Sequence, residues 1–348
     1  MPAPTAPIFI VGANRSGTTL LRLLLNAHPR IAIPEELNYV NSFLANTPID
    51  QWRTPNLAPD RFAAFVDECL SSWASLLPEL DLEALRDQIL EGPADFRHPY
   101  ATALRTWAAH HGKPRWGEKT PGNLFYADVL HEMFPEARFI LVVRDPRAGV
   151  ASMQKVDFFP ADPVFNALSR HKHMTKGRAI LERHVPASQR YVVRYEDLVG
   201  TPEQTVRDLC TFLGETYDPS MLAFHRDAEQ YMKDTAATSF NTQATRPIST
   251  ARVEAWRHQL SPDAIAIVET VCRDEMTEFA YVPDGRPLTL RSRIELLLKQ
   301  GYWAVQNWRN HKIRHYTVKH PIFARTRRRG ANLLDWLFSR PASSSSRQ

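Results

Sequence analysis

The stretch FIVGANRSGTTLLRLLLNAHP, residues 9–29, decides the fold of this chain. A short apolar run ends at Gly12, which predicts a buried strand. The leucine-rich segment 18–27 predicts a helix that stops near His28 and Pro29. Backbone N–H groups at a helix N-terminus converge on one point, and the helix dipole favours negative charge there. The stretch therefore predicts a strand, an anion-binding turn and a helix, with an ordinary connecting turn as the alternative.

The turn between this strand and this helix has the side chains that an anion site needs. A cation, three hydroxyl groups and a flexible glycine stand together as Arg15, Ser16, Gly17, Thr18 and Thr19. The usual nucleotide-binding loop reads G-x-x-x-x-G-K-[ST], and its lysine reaches the β- and γ-phosphates. Here a threonine follows the second glycine, so that lysine is absent. A P-loop kinase is therefore the alternative enzyme, and a ligand with fewer charges on its reacting end fits better.

The apolar segment 137–145 predicts a second buried strand, and segment 190–199 predicts a third strand with its exit turn. Helical segments separate the three strands. Strands that alternate with helices indicate an α/β fold, here a three-layer P-loop-type parallel sheet flanked by helices. Ligands of such sheets bind outside the carboxyl ends of the strands. We therefore expect the functional residues in the loops that follow residues 12, 145 and 195.

The composition indicates a folded protein of a reducing compartment. The chain has 348 residues, 43% of them hydrophobic, and three widely separated cysteines without C-x-x-C spacing. These thiols are expected to be reduced and mostly buried. The sequence shows no signal-peptide pattern and no apolar run near the ~20 residues that a membrane span needs. A cytoplasmic location is therefore expected.

The charge is distributed unevenly along the chain. Residues 286–348 contain 14 Lys and Arg but only 2 Asp and Glu, a net charge of +12. Because the whole chain carries +5, residues 1–285 carry −7. This difference predicts a main domain, 1–285, and a basic helical C-terminal extension, 286–348, with a disordered serine-rich end.

Five segments in this order resemble the sulfotransferases that use 3′-phosphoadenosine 5′-phosphosulfate. They read NRSGTTLLRLLLNAHP at 14–29, PEE at 34–36, GEKTP at 117–121, ARFILVVRDPRAGVASM at 137–153 and RYEDLV at 194–199. The pattern is closest to the protein-tyrosine and bacterial branch, in which R-S-G-T-T replaces the P-K-x-G-T-T of the small-molecule enzymes. The resemblance extends from about residue 8 to about residue 283. It implies sulfuryl transfer to a hydroxyl acceptor without a metal.

The resemblance implies a binding role for several residues. The 5′-phosphosulfate would be held by Arg15, Ser16, Gly17, Thr18 and Thr19. Arg144 and Ser152 would hold the 3′-phosphate, since a strand-end cation and a helical serine can converge on one dianion. The alternatives are a surface ion pair for Arg144 and an exposed helix position for Ser152. Two further contacts to the nucleotide are expected, from Tyr195 at the end of the third strand and Arg246 in a late closing loop, TRPIST.

The resemblance also implies catalytic residues. Glu36, in the segment IPEEL, matches the general base of the tyrosylprotein branch, with Glu35 or a solvated acidic turn as the alternatives. Lys119 would act with Arg15 on the oxygen that bridges sulfate and phosphate, and an exposed loop lysine is its alternative. His28 is expected to be structural, because it lies in the turn that ends the first helix.

The acceptor side departs from the tyrosylprotein pattern. Pro34 replaces a glycine, and Leu37 and Asn38 replace residues that help peptide recognition, which weakens the case for a tyrosine peptide. A small molecule, a glycan or a lipid-linked hydroxyl is expected instead. The helical segment of about 51–111 is expected to form an insert that builds the acceptor wall. Its aromatic residues are, one by one, more typical of plain core: Trp52, Phe62, Phe65, Trp73 and Trp107.

The C-terminal extension combines cations with apolar residues at helical spacing. One helix face at 291–309 contains Ile294, Leu298, Tyr302, Val305 and Trp308, and cations flank it. A basic amphipathic helix is typical of an anionic membrane surface, and packing on the acidic main domain is the alternative. Nucleic acid is not an expected partner, because no recognition module is evident. A nucleotide-binding peripheral membrane protein without catalysis is the corresponding alternative function.

Overall fold

The computed structural model describes residues 6–44, 57–232 and 245–319. Its centre is a five-stranded parallel sheet with the strand order β2-β3-β1-β4-β5. The strands are β1 Ile8–Gly12, β2 Ile31–Ala32, β3 Arg115–Lys119, β4 Arg138–Val143 and β5 Arg190–Arg194. The predicted α/β fold with a parallel sheet is confirmed.

Helices connect the strands and cover both faces of the sheet. Those before β4 are α1 Thr18–Asn26, α2 Pro59–Trp73, α3 Leu82–Leu90, α4 Arg97–His110 and α5 Ala127–Met133. Those after β4 are α6 Pro146–Met153, α7 Pro163–Lys172, α8 Arg178–His184, α9 Tyr195–Gly200, α10 Pro202–Leu213, α11 Trp256–Gln259, α12 Pro262–Val271, α13 Arg273–Glu278 and α14 Leu290–Lys319. Short 3-10 and π-helical turns lie between them. The sheet and its two helical layers form the expected three-layer architecture.

The central strand β1 shows why the sheet is recognisable in the sequence. Phe9 and Val11 pack into one apolar cluster, and Ile8 and Ile10 pack into a second cluster. Because side chains alternate between the two faces of a strand, a strand covered on both faces needs apolar residues throughout. The three cysteines are buried as expected: Cys69, Cys210 and Cys272.

Strand β3 is buried, and the sequence analysis did not identify it as a strand. It lies beside β1, yet its sequence is RWGEK. The Arg115 guanidinium donates to two backbone carbonyls at 3.0 and 2.7 Å and to Glu215 at 3.1 Å. A Cβ on Gly117 would lie 2.5 Å from the carbonyl oxygen of Ile8, so only glycine fits there. The charged Arg115 can therefore be buried because residues distant in sequence accept its hydrogen bonds.

Helices α2–α4 form the described part of the predicted insert. Phe62, Trp73 and Trp107 are buried, and Phe65 packs against the same cluster. These four residues are core, as the residue-by-residue interpretation held. Trp52 lies outside the described residues.

Helix α14 packs on the main domain through one face. Leu296 is buried, Trp303 stacks on Phe165 of α7 with ring centroids 6.1 Å apart, and Lys299 forms an ion pair with Asp162. The predicted apolar face is a different one. It is exposed at Ile294, Leu298, Val305 and Trp308 and half-buried at Tyr302. Among the described helices, none has the length and apolar character that a bilayer span requires.

Candidate active site

The carboxyl ends of β1, β3, β4 and β5 meet at one edge of the sheet. The parallel register places Ile10 beside Lys119 and Gly12 beside Val142. Val143 in turn lies beside Arg194. The segments that follow these strands therefore lie together, at the edge where ligands of parallel sheets bind.

The turn after β1 has an unusual backbone. Gly17 precedes α1 with φ of +98°, and Arg15 has φ of +63°. Left-handed conformations are uncommon for residues with a side chain, and they cluster at functional sites. A Cβ on Gly17 would also lie 2.5 Å from the ring of Tyr195. Both the backbone and the neighbouring ring therefore require glycine at this position.

The predicted hydroxyl donors surround this turn. Ser16 and Thr18 are buried, and Thr19 is half-buried in the first turn of α1. Gly17 stands at the N-cap position and has no side chain to cap the helix. The first N–H groups of α1 therefore face the same region as the hydroxyls, as an anion site needs.

A second basic region lies where β4 ends. One small cavity is lined by Arg144, Ser152, Lys155 and Arg252, and no acidic residue of the described chain lines it. Arg144 is 7% exposed, and its guanidinium lies 4.1 Å from the ring centroid of Tyr195. Its Nε has no hydrogen-bond partner within the described residues. A buried cation with an unused donor beside a cavity fits a phosphate group.

The late loop contributes a different arginine to this cavity from the predicted one. Arg246 is exposed and does not line the cavity. Arg252, six positions later at the end of a 3-10 turn, lines the cavity, and its carbonyl oxygen accepts from Arg144 at 3.1 Å. The sequence analysis missed Arg252 because only the TRPIST segment, 245–250, matched the family pattern. The nucleotide contact that the resemblance implies for Arg246 stays a prediction.

Arg15 connects the turn to this cavity. Its Nε donates to the Ser152 hydroxyl oxygen at 3.2 Å, and its carbonyl oxygen accepts from Arg144 at 3.3 Å. Burial lowers the pKa of Arg15, and the nearby Arg144 and Arg252 lower it further, whereas Glu36 raises it. The positive charges that crowd here would be stabilised by an anion.

Arg170 of α7 holds the two regions together, and the sequence analysis did not identify it. This fully buried side chain donates to the Ser16 hydroxyl oxygen at 3.2 Å and to the carbonyl oxygen of Arg144. Its charge is balanced by Glu275 of α13 at 2.9 Å. No local pattern in the sequence marks such a residue, because its partners come from three distant segments.

Glu36 and Lys119 form an ion pair at the carboxyl end of β3. The Lys119 side chain is 5% exposed and the Glu36 side chain is 39% exposed, so the carboxylate is the accessible member of the pair. The structure thus brings together the residues predicted as the general base and the second cation. The expectation that Lys119 contributes more than an exposed loop lysine agrees with its burial.

The neighbouring carboxylate has another partner. Glu35 lies 3.6 Å from the guanidinium of Arg22, which is itself buried and donates to the carbonyl oxygen of Ile33 at 3.4 Å. The loop therefore directs its two adjacent carboxylates to different partners, Glu35 to a structural arginine and Glu36 to Lys119.

Glu118 is a third carboxylate here, and the sequence analysis gave it no role. It is fully buried and accepts hydrogen bonds from Asn123 at 2.6 Å and from the Thr120 hydroxyl. Burial raises its pKa from 4.5 to about 7, the Thr120 hydrogen bond opposes this rise, and Glu36 adds to it. Glu118 fixes the segment that follows β3 and thereby the position of Lys119.

Several other polar residues of the motifs have structural partners. Glu196 accepts from the backbone N–H of Asp145 at 3.0 Å and from the Tyr281 hydroxyl at 2.9 Å. Asp145 is itself paired with Arg147 at 2.7 Å, which suits an ion pair and not a metal ligand. His28 is buried and contacts the carbonyl oxygen of Thr216 at 2.9 Å, so the structural role expected for it agrees with the contacts.

Comparison with known proteins shows which family this chain belongs to. Residues 7–219 match the model described as the sulfotransferase family. The chain is 26% identical over 306 residues to protein-tyrosine sulfotransferase A of Caenorhabditis elegans, which covers 85% of this chain and 73% of that protein. It is 27% identical over 298 residues to the nodulation protein NoeE of Sinorhizobium fredii, covering 78% of this chain and 65% of that protein.

Solved structures agree on the fold. The sulfotransferase domain of the Synechococcus PCC 7002 olefin synthase superposes with a TM-score of 0.53 at 24% identity, covering 81% of this chain and 97% of that domain. The family match spans both the turn from Arg15 to Thr19 and the Glu36–Lys119 pair. This chain belongs to the sulfotransferase family and is a sulfotransferase, which sets aside the kinase and the non-catalytic alternatives.

Proposed function

We propose that this sulfotransferase moves the sulfuryl group of 3′-phosphoadenosine 5′-phosphosulfate to a hydroxyl group, with Glu36 as the general base. The observation that carries the proposal is the Glu36–Lys119 ion pair, which lies at the end of β3, beside the strand that leads into the turn with Arg15. A base and a cation therefore lie together, and Glu36 also raises the pKa of Arg15. This is the set of charges that sulfuryl transfer requires.

The two basic regions suit the two anionic ends of the donor. The turn from Arg15 to Thr19 and the N-terminus of α1 would hold the 5′-phosphosulfate. The cavity with Arg144 and Ser152 would hold the 3′-phosphate, and the unused Nε of Arg144 supports this assignment. Tyr195, whose ring lies against both Arg144 and Gly17, would separate the two sites.

The reaction on these residues is an in-line displacement. The acceptor oxygen forms a bond to sulfur while the bond from sulfur to the bridging phosphate oxygen breaks. The acceptor proton passes to the Glu36 carboxylate. Lys119 and Arg15 offset the negative charge that develops on the departing phosphate.

The pairing of Glu35 with Arg22 supports Glu36 as the base. A general base must reach the proton that it removes. Glu35 is 19% exposed and faces a buried cation, whereas Glu36 is more accessible and lies next to Lys119. The geometry therefore favours Glu36 over its neighbour.

The acceptor class follows from the relatives and from the loop after the base. Relatives include proteins named as protein-tyrosine sulfotransferases, so a tyrosine hydroxyl is one candidate. Leu37 and Asn38 stand where the tyrosylprotein branch has residues that help peptide recognition, and the Leu37 side chain is buried. We therefore propose a hydroxyl on a small molecule, a glycan or a lipid-linked molecule.

The test of the base compares two adjacent substitutions. Glu36→Gln should lower kcat about 100-fold or more, because it removes the proton acceptor, without weakening the binding of adenosine 3′,5′-diphosphate. Glu35→Gln is the matched control and should keep most of the activity. Equal losses in both variants, or full activity of Glu36→Gln, would remove Glu36 from this role.

The test of the acceptor uses a donor that carries labelled sulfate. The protein is incubated with fractionated cell extract and, separately, with a tyrosine-containing acidic peptide. Label in a small-molecule, glycan or lipid fraction, with none in the peptide, is the expected result. Label in the peptide alone would contradict the proposed acceptor class but leave the assignment of the donor intact.

A further inference from the structure

Helix α14 exposes an apolar stripe on the side that faces away from the main domain. Its packed side contains Leu296, Lys299 and Trp303. At about 100° per residue, the stripe residues fall within an arc of about 100° that is centred opposite this packed side. They are Leu290, Ile294, Leu297, Leu298 and Val305, which are 76%, 51%, 68%, 68% and 57% exposed. Packing on the domain thus leaves a second apolar face in contact with water.

Cations lie along both edges of this stripe. Arg291 lies just beyond one edge of the stripe and Arg293 just beyond the other, and both side chains are exposed. Within the described residues neither forms an ion pair, whereas Lys299 on the packed side is paired with Asp162. The extension that begins at residue 286 carries a net charge of +12. An apolar face with cations on both sides suits a surface that is apolar inside and negative outside.

We propose that the exposed stripe of α14 docks the enzyme on an anionic phospholipid surface. The helix would lie in the plane of the interface, with its aliphatic side chains among the upper acyl chains and Arg291 and Arg293 at the phosphate groups. Trp303 and Leu296 stay on the domain, so docking needs no rearrangement of the packed face.

A second copy of the chain is a less suitable occupant of this stripe. Two copies would bring two extensions of +12 together and place Arg291 and Arg293 against like charges. An anionic lipid surface instead supplies the opposite charge for each of these cations. The charge around the stripe therefore favours lipid over self-association.

Vesicle flotation of the full-length protein tests the proposal. Vesicles of phosphatidylcholine alone are compared with vesicles that also contain phosphatidylserine. The wild type should float with the phosphatidylserine vesicles and less well as salt is added. The triple variant Leu297→Ser, Leu298→Ser, Val305→Ser should lose about tenfold or more of this binding, because insertion depends on buried apolar area. The charge variant Arg291→Glu, Arg293→Glu should lose it as well.

The control variant changes exposed aliphatic residues elsewhere, Val192→Ser with Val282→Ser, and should float like the wild type. Circular dichroism and binding of adenosine 3′,5′-diphosphate check that each variant is folded. If the triple variant floats like the wild type, the lipid contact lies elsewhere in the chain and the proposal fails. It also fails if the wild type ignores lipid and forms dimers that the triple variant does not form.

Discussion

The Nε of Arg15 donates to the hydroxyl oxygen of Ser152 across 3.2 Å, so the anion-binding turn and the helix after β4 are in direct contact. The sequence assigned these two residues to opposite ends of the donor. Because the two residues share a hydrogen bond, a ligand that binds either of them also affects the other. The two residues then contribute to donor binding as a coupled pair and not independently.

We therefore predict that Arg15→Ala weakens the binding of adenosine 3′,5′-diphosphate about 10- to 100-fold, the range for a lost charge-assisted hydrogen bond. Ser152→Ala should weaken it less, and the double variant should show an effect that differs from the sum. Isothermal titration calorimetry on the four proteins measures this cycle. Strict additivity would mean that the contact between them does not matter for binding.

The position of Arg252 leads to a comparison between two arginines of one loop. Arg252→Ala should weaken binding of the diphosphate about tenfold, because Arg252 lines the cavity with Arg144. Arg246→Ala, at an exposed position outside the lining, should have a much smaller effect. The same calorimetric titration measures both. A larger loss in Arg246→Ala would restore the residue that the sequence pattern favoured.

The raised pKa of Glu118 predicts a pH dependence of stability. In the folded protein its carboxyl keeps a proton up to about pH 7, whereas its ordinary pKa is 4.5. The folded state therefore binds more protons between these values, and stability falls as the pH rises from about 4.5 to about 7. Glu118→Gln keeps the shape of the protonated group and should remove this slope, on the order of 3 kcal/mol across the window.

Urea unfolding of the wild type and of Glu118→Gln at several pH values measures that difference. Glu118→Asp, which keeps the titration but shortens the side chain, serves as the control. Parallel stability curves for the wild type and Glu118→Gln would show that another group causes the pH dependence.

Gly17→Ala should damage the donor site directly. At this position alanine would have to adopt φ of +98°, which is strained for a residue with a side chain. Its methyl carbon would also lie 2.5 Å from the Tyr195 ring, so the ring or the turn must shift. We expect a loss of about 1–3 kcal/mol in stability and a loss of diphosphate binding that the melting temperature alone does not explain. Gly112→Ala, at φ of +67° with open space around it, is the control for the backbone term. Similar binding in both variants would contradict the role of the ring.

The sequence predicted those parts of the fold whose cause is local. The runs at β1 and β4 are apolar because both strands are covered by helices, and the glycine turn is visible because its backbone demands glycine. Strand β3 was missed because its charges are satisfied by Glu215 and by carbonyls from distant segments. Burial there depends on partners that no window of sequence contains.

The same distinction applies to the site. Arg144, Glu36 and Lys119 stand in motifs, and their positions agree with the sequence analysis. Arg170 and Glu118 act by holding other residues in place. The partners of Arg170 are remote in sequence. Those of Glu118 are near in sequence, but the sequence does not show that its carboxyl is buried. Helix α14 shows a third limit. Helical spacing identifies an apolar stripe, but only the structure shows whether that stripe is the packed one.

Two buried arginines near the carboxyl end of β4 form ion pairs with glutamates from late in the described chain. Arg147 contacts Glu269 at 2.6 Å and Arg170 contacts Glu275 at 2.9 Å, all four side chains being buried. Both glutamates lie well past residue 219, where the family match ends. A shortened enzyme cut at that boundary would leave Arg170 without its carboxylate partner and Arg147 with Asp145 alone. A stable enzyme therefore needs the chain at least as far as Glu275, because α12 and α13 supply carboxylates to these buried arginines.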